Sequence, residues 1–426
     1  MLSFRPLGVL AIVCLGGLVG TAACTIEHIT TNATPPAADA GTDPDADTGD
    51  DGSADAAPDT SDPVDPNYPA GHTPIPIVDW NGGTVVTSPK IVTVTFGAET
   101  FRSRLETFGD TITTTKWWDA IRAGYCSPQG SATCVGQGGS GGHVNITTPP
   151  ETTYTDSAQG GASSLQAFLT TNIQNGILPT PTKDMIYVLY FPAGVSISLD
   201  NASSCQQFGG YHNTLVFGGQ AVPYAVIPRC DPTEKTLTIA ASHEIAEAST
   251  DPDVGTNSVA YYMMNQIWAF AGGEVGDVCV DFTGSGSDTV VESTYTVQRS
   301  WSNIAAKAGH DPCVPSPAGQ AYFKAAPAQN QQQVGLAVGK SVVLDVTAFS
   351  DAPMAADWDL SAVDLGQFTT GRSSLSFSFD KTKVHNGSKV QLTVTLTNTP
   401  NGPALYAIVS RSGRTTNLWY GAVLRQ

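Results

Sequence analysis

Three runs of β-branched and aromatic residues, Ile91–Phe96 (IVTVTF), Met185–Phe191 (MIYVLYF) and Val222–Ile227, have the length and composition of buried strands. Between and after them the apolar spacing turns helical. Ser163–Asn175 sets Leu165, Phe168, Leu169 and Ile173 on one face and stops before Gly176; Thr115–Arg122 carries Trp117 and Trp118; Thr236–Ser249 runs to Asp251-Pro252. This mixture predicts an α/β, metallohydrolase-like domain over residues 71–317. Gly136–Gly142 (GQGGSGG) lacks the Lys-Ser/Thr of a phosphate loop and reads as a flexible loop. Beyond Pro317 the pattern changes to short, partly alternating segments: Val342–Val346, Leu375–Phe379, Gln391–Leu396, Tyr406–Ser410 and Leu418–Leu424. Turn signals such as Asn386-Gly387 and Asn401-Gly402 separate them. Regular strands without helix or cysteine predict an immunoglobulin- or fibronectin-like β-sandwich over 318–426. Trp358 and Trp419 read there as core or rim aromatics rather than a sugar platform.

The first 70 residues follow neither period. Met1–Cys24 has Arg5, an apolar stretch from Leu7 to Val19, and Gly20-Thr21-Ala22-Ala23-Cys24, the small-residue approach to a lipidated cysteine. Cys24 is therefore the expected acylation site, although Thr21 stands where Leu is usual; cleavage near Ala23 with Cys24 incidental is the other reading. Residues 25–70 form an Asp/Ala/Pro-rich linker with ten Asp between Asp39 and Asp65 and no Lys or Arg before Lys90. Such a segment buries too little apolar surface to offset its chain entropy, and its charges extend it. The expected location is an outer membrane or cell surface, with the lipid anchor as the membrane contact, or otherwise the secreted state.

The formal net charge is −18, with only 20 Lys+Arg in 426 residues, which argues against nucleic acid as a partner. No apolar run of about 18–20 residues follows the leader, which excludes a multi-span membrane protein. Six of the eight cysteines lie beyond the leader. In an exported chain they imply disulfides, and proximity in sequence favours Cys126–Cys134, Cys205–Cys230 and Cys279–Cys313.

The sharpest chemical signal is Ser242-His243-Glu244-Ile245-Ala246-Glu247. On a helix, His243 and Glu247 share a face and can reach one ion, while Glu244, rotated about 100°, lies beside it as a base. This is the logic of H-E-x-x-H hydrolases with a carboxylate in the second ligand position, which zinc accepts. Glu274 or Asp277, held by the neighbouring Cys279, is the candidate third ligand, and His212, near Cys205, a further ligand or oxyanion partner. A hydrogen-bonded structural cluster at the helix end is the alternative.

The order of blocks resembles the EXORDIUM / phosphate-induced protein 1 family. The blocks are Ser204-Cys205, Gly210-Tyr211-His212, Pro223-Tyr224-Ala225, Ala241 to Pro252, Trp268, and Glu274-Val275-Gly276-Asp277-Val278-Cys279. The likeness covers roughly Ile91 to Cys313. It departs at Gly209-Gly210, where Cys-Gly is usual, in the stretch Asp253–Tyr262, and in the added sandwich. The resemblance implies a secreted protein and carries over His212, His243, Glu244, Glu247, Glu274 and Asp277. Two functions compete. One is a zinc-dependent, peptidase-like hydrolase with Glu244 and His212 as its catalytic pair. The other is a non-catalytic surface protein whose sandwich binds a cell-wall glycan or an extracellular protein.

Overall fold

The computed structural model describes residues 63–128, 133–147, 150–157, 163–254, 259–264, 266–269, 272–281, 286–367, 371–400 and 402–426, and the backbone of an antiparallel strand pair, Val9–Cys14 with Cys24–Ile29. Residues 30–62 of the expected linker, and the side chain of Cys24 with its expected lipid, lie outside the described residues.

The β-branched runs at 91–96, 185–191 and 222–227 become the interior of a five-stranded sheet. Its order is Tyr211–Phe217, Gln220–Pro228, Met185–Phe191, Lys90–Phe96, Gly139–Ile146. The first two strands form an antiparallel hairpin; the other neighbours are parallel. Alternation along Met185–Phe191 fills two cores. Ile186, Val188 and Tyr190 pack with Leu105, Phe108, Trp117, Leu237 and Ile245, whereas Tyr187, Leu189 and Phe191 pack with Leu165, Leu169 and Ile173. The helices stand where the apolar period placed them. Ser164–Gln174 and Lys116–Arg122 are N-capped by the side chains of Ser163 and Thr115, and Glu234–Thr250 stops at Asp251 before Pro252.

The expectation of an α/β metallohydrolase-like domain over 71–317 is overturned. Strand residues outnumber helical ones about two to one along the chain, which is predominantly β. Within 71–317 the sheet described above is joined by a three-stranded sheet and four two-stranded ones. Eleven of the strands there are only two to four residues long. Segments so short carry no period-2 signal, so their turns and polar residues read as loop. The glycine-rich stretch also differs from expectation: Gly139–Ile146 is an edge strand. A side chain at Gly141 would sit 2.9 Å from Val92 Cγ2, so glycine there lets two strands approach.

All three expected disulfides are present. The C-terminal region is a two-sheet sandwich. One sheet orders Phe323–Pro327, Ser341–Ser350, Lys389–Leu396, Leu375–Phe379; the other orders Gln333–Leu336, Thr415–Arg425, Ala404–Ser412, Trp358–Asp364, Lys383–Val384. Trp358 and Trp419 are wholly buried. At the junction with the preceding region, the Trp268 ring meets those of Trp301, Trp419 and Tyr420 at 5.6, 5.6 and 5.0 Å. The end of the expected linker also docks on the sandwich. Asn386 donates from Nδ2 to the Asp65 and Asn67 carbonyls and accepts at Oδ1 from the Ala70 and Ser350 N–H groups. His72 stacks on Phe349 at 3.6 Å between centroids. Among the described residues no helix is long and apolar enough to cross a membrane.

Candidate metal centre

Three elements bring the chemistry together. The Glu234–Thr250 helix is buried from Ala241 to Thr250, because it lies between the sheet and the Tyr295–Gln298 strand. On it, His243 and Glu247 stack one turn apart and Glu244 sits beside them. Alternation along Tyr211–Phe217 turns Tyr211 to the second core and His212 and Thr214 toward the helix, where Thr214 Oγ1 donates to the Pro252 carbonyl at 2.8 Å. The third element is the turn carrying Glu274 and Asp277. The Cys279–Cys313 disulfide and a bond from Trp301 N–H to the Val275 carbonyl, 2.7 Å, hold it.

All six sequence-derived residues converge. His243 Nε2 lies 3.0 Å from Glu247 Oε1 and 3.3 Å from Asp277 Oδ1. His212 Nδ1 lies 3.5 Å from both Glu244 Oε2 and Glu247 Oε2, and its Nε2 lies 3.6 Å from Glu274 Oε1. Donors about 2.0–2.2 Å from a tetrahedral zinc are separated by about 3.3–3.6 Å; the 3.3 and 3.5 Å spacings lie in that range, while the 3.0 Å from His243 to Glu247 is shorter, a hydrogen-bond distance. His243–Glu247–Asp277 and His212–Glu244–Glu247 are each compact enough to hold a metal ion. Among the described residues, Glu244, Glu247 and Glu274 form ion pairs with histidines and with neither Lys nor Arg.

The electrostatics follow from crowding acids in a buried site. Burial by itself would lower both imidazole pKa values. For His212, Glu274 and then Glu244 and Glu247 outweigh it; for His243, Glu247, Glu244 and Asp277 do, and both are held well above the usual range. Burial pushes Glu274 well up, Asp277 up to about 7 and Asp251 up to about 6. Burial also opposes ionisation of Glu247, but His243 and His212 prevail and its pKa falls. Such divergence among adjacent groups makes the cluster a candidate functional site.

Two kinds of participant escaped sequence reasoning. Gln298 accepts at Oε1 from His243 Nδ1–H, 2.9 Å, while its Nε2 donates to the Gly276 carbonyl, 2.7 Å. That carbonyl can only accept, so the amide orientation is fixed and the His243 proton sits on Nδ1, leaving Nε2 toward Glu247 and Asp277. No motif signals a glutamine 55 residues away. The others are glycines. A Cβ on Gly276 would stand 2.8 Å from His243 Cε1 and Nδ1 and 2.9 Å from Glu247 Oε1, and one on Gly210 would stand 2.9 Å from Glu244 Oε1. Gly276→Ala is expected to cost about 1–3 kcal/mol and weaken metal binding. Gly71→Ala, facing open space, should leave both unchanged. Equal denaturation midpoints and equal metal content in G276A and wild type would refute this steric account.

No family model and no curated protein matches the chain. Among solved structures, domains 4 and 5 of the S-layer protein SbsC are 13% identical over 25% of this chain and 46% of that chain, with a TM-score of 0.19. An immunoglobulin-domain chain of a Titin M10-Obscurin like 1 complex is 18% identical over 25% of this chain and 93% of its own, at 0.17. The titin M3 domain is 12% identical over 25% and 96%, also at 0.17. This chain spans less than half the length of the S-layer fragment it matches. At such TM-scores the likenesses carry no weight for function.

Proposed function

We propose that this chain is an exported metal-dependent hydrolase, peptidase-like in its chemistry, whose ion is held by His243, Glu247 and Asp277. Zinc accepts this mixed imidazole–carboxylate set. The observation that carries the reading is the meeting of His243 Nε2 with two carboxylate oxygens at 3.0 and 3.3 Å, its other nitrogen already committed to Gln298. The ion would supply Lewis acidity toward a scissile carbonyl. Glu244, beside the ligand face, accepts the proton of the attacking water. His212, 3.5 Å from Glu244, orients that carboxylate, and Glu274 keeps the imidazole charged. Three disulfides fit an oxidising compartment, and a lipid on Cys24 would place the molecule on an outer membrane or cell surface. The resemblance of the block order to the EXORDIUM family fits export and a metal site at these positions, with the sandwich as spacer or as a glycan- or protein-binding module.

A second reading, a non-catalytic adhesion protein with a structural centre, is favoured by one observation. His212, His243, Glu244, Glu247, Glu274 and Asp277 are each at most 3% exposed, and closed metal sites are typically structural. Elemental analysis of the purified full chain, paired with a quenched-peptide screen, separates the two. The hydrolase reading expects bound zinc that is lost in His243→Ala, and hydrolysis that falls about 10²–10⁴-fold in Glu244→Gln. A folded, metal-free wild type overturns it, and metal without hydrolysis leaves the structural centre.

A further inference from the structure

We infer that the buried cluster holds two cations bridged by the Glu247 carboxylate, an inference that rests on the metal-centre reading above. Glu247 is turned so that each oxygen faces a different histidine: Oε1 lies 3.0 Å from His243 Nε2, and Oε2 lies 3.5 Å from His212 Nδ1. Asp277 completes the first triangle and Glu244 the second. The Gly276 and Asp277 N–H groups reach Oε1 at 3.1 and 3.2 Å, longer than the about 2.7–2.9 Å of strong charge-assisted bonds. They set the direction of the carboxylate while leaving it able to meet an ion on each side.

The two histidines repeat one arrangement. A metal-bound imidazole characteristically donates its other N–H to a carbonyl or carboxylate behind it. His243 presents Nε2 to two carboxylate oxygens and gives Nδ1–H to Gln298. His212 presents Nδ1 to two carboxylate oxygens, and Glu274 stands 3.6 Å behind its Nε2. That Nε2 is fully buried, and Glu274 is the acceptor placed toward it. Charge points the same way: Glu244, Glu247, Asp251, Glu274 and Asp277 are buried together, and two divalent cations would offset most of that charge, with both imidazoles giving up their extra proton to serve as neutral ligands. Carboxylate-bridged ion pairs about 3.5–4 Å apart are an established hydrolytic arrangement. In this version Glu244 is a ligand rather than a free base.

Zn²⁺ titration of the full chain, followed by elemental analysis, is expected to give two equivalents, falling to one in both Glu244→Gln and His212→Ala. Wild type loaded with Mn²⁺ alone should show the exchange-coupled electron paramagnetic resonance spectrum of a metal pair, a readout independent of how the variants fold. One equivalent in wild type, retained in E244Q and accompanied by an isolated six-line Mn²⁺ spectrum, overturns the second site and leaves the single-ion reading standing. Two equivalents that survive in both variants also overturn the assignment. No bound metal defeats both.

Discussion

Glu247→Ala is expected to lower stability by about 3–5 kcal/mol, the cost of breaking a buried charge pair from one side, and to abolish the metal binding proposed above. The magnitude follows from the number of partners that lose their counterpart at once. Glu247 faces His243 at 3.0 Å and His212 at 3.5 Å, accepts from two N–H groups of the Gly276–Asp277 turn, and is 2% exposed. Glu247→Gln separates the components. Its amide oxygen still accepts from the turn, so the fold should survive with a smaller loss, while the charge that draws the cation is gone. Urea denaturation with elemental analysis checks both variants. An E247A protein within 1 kcal/mol of wild type and with unchanged metal content would show that the cluster is not a centre of any kind.

The second large effect lies at the junction of the two regions. Lys324 is buried, with Nζ 5.1 Å from the Trp268 ring centre and within 6.0 Å of those of Trp301, Tyr322 and Trp419. Burial brings its pKa down to about 7 from the ordinary 10.5, with Asp311 opposing the fall. Below pH 7 the ammonium is charged in both states, and folding bears the full desolvation cost. Between about 7 and 10.5 the unfolded chain holds a proton that the folded one has released, so stability rises with pH; above 10.5 both are neutral and the cost is absent. The full span corresponds to at most about 5 kcal/mol. Lys324→Met should therefore be stabilising at pH 6.5, by a margin that shrinks steadily toward pH 10. Taking the difference between variant and wild type cancels the contribution of the titrating cluster. A margin independent of pH, or a destabilised variant, would refute this account.

Much of this was legible in the chain. The strand runs, the helix ending at Asp251-Pro252, the sandwich strands and the disulfide partners each have a local cause, whether β-branching, a helix-stopping proline, alternation or short spacing. His243, Glu244 and Glu247 were legible for the same reason, since a single helical turn relates them. His212, Glu274 and Asp277 belong to other elements, and their nearness to Cys205 and Cys279, with their place in a linked series of blocks, drew attention to them. Gln298 had no local signal at all, because its role exists only once its strand lies against the helix. The class of the domain failed for a related reason: pairs of two- to four-residue strands are stabilised by their surroundings, not by their own pattern. Gly210 and Gly276 carry no signal of their own in the sequence, because what they do is leave space for side chains distant in sequence.

The Asn386 clamp also decides where a load enters the molecule. Traction on the chain before residue 63 falls first on the bonds that tie Asp65, Asn67 and Ala70 to the sandwich, and on the His72–Phe349 stack behind them. The helix and turn that carry the acids lie further along the chain and are shielded from that force. A pull at the N-terminal side is borne by the sandwich seam before it can disturb the geometry of the centre.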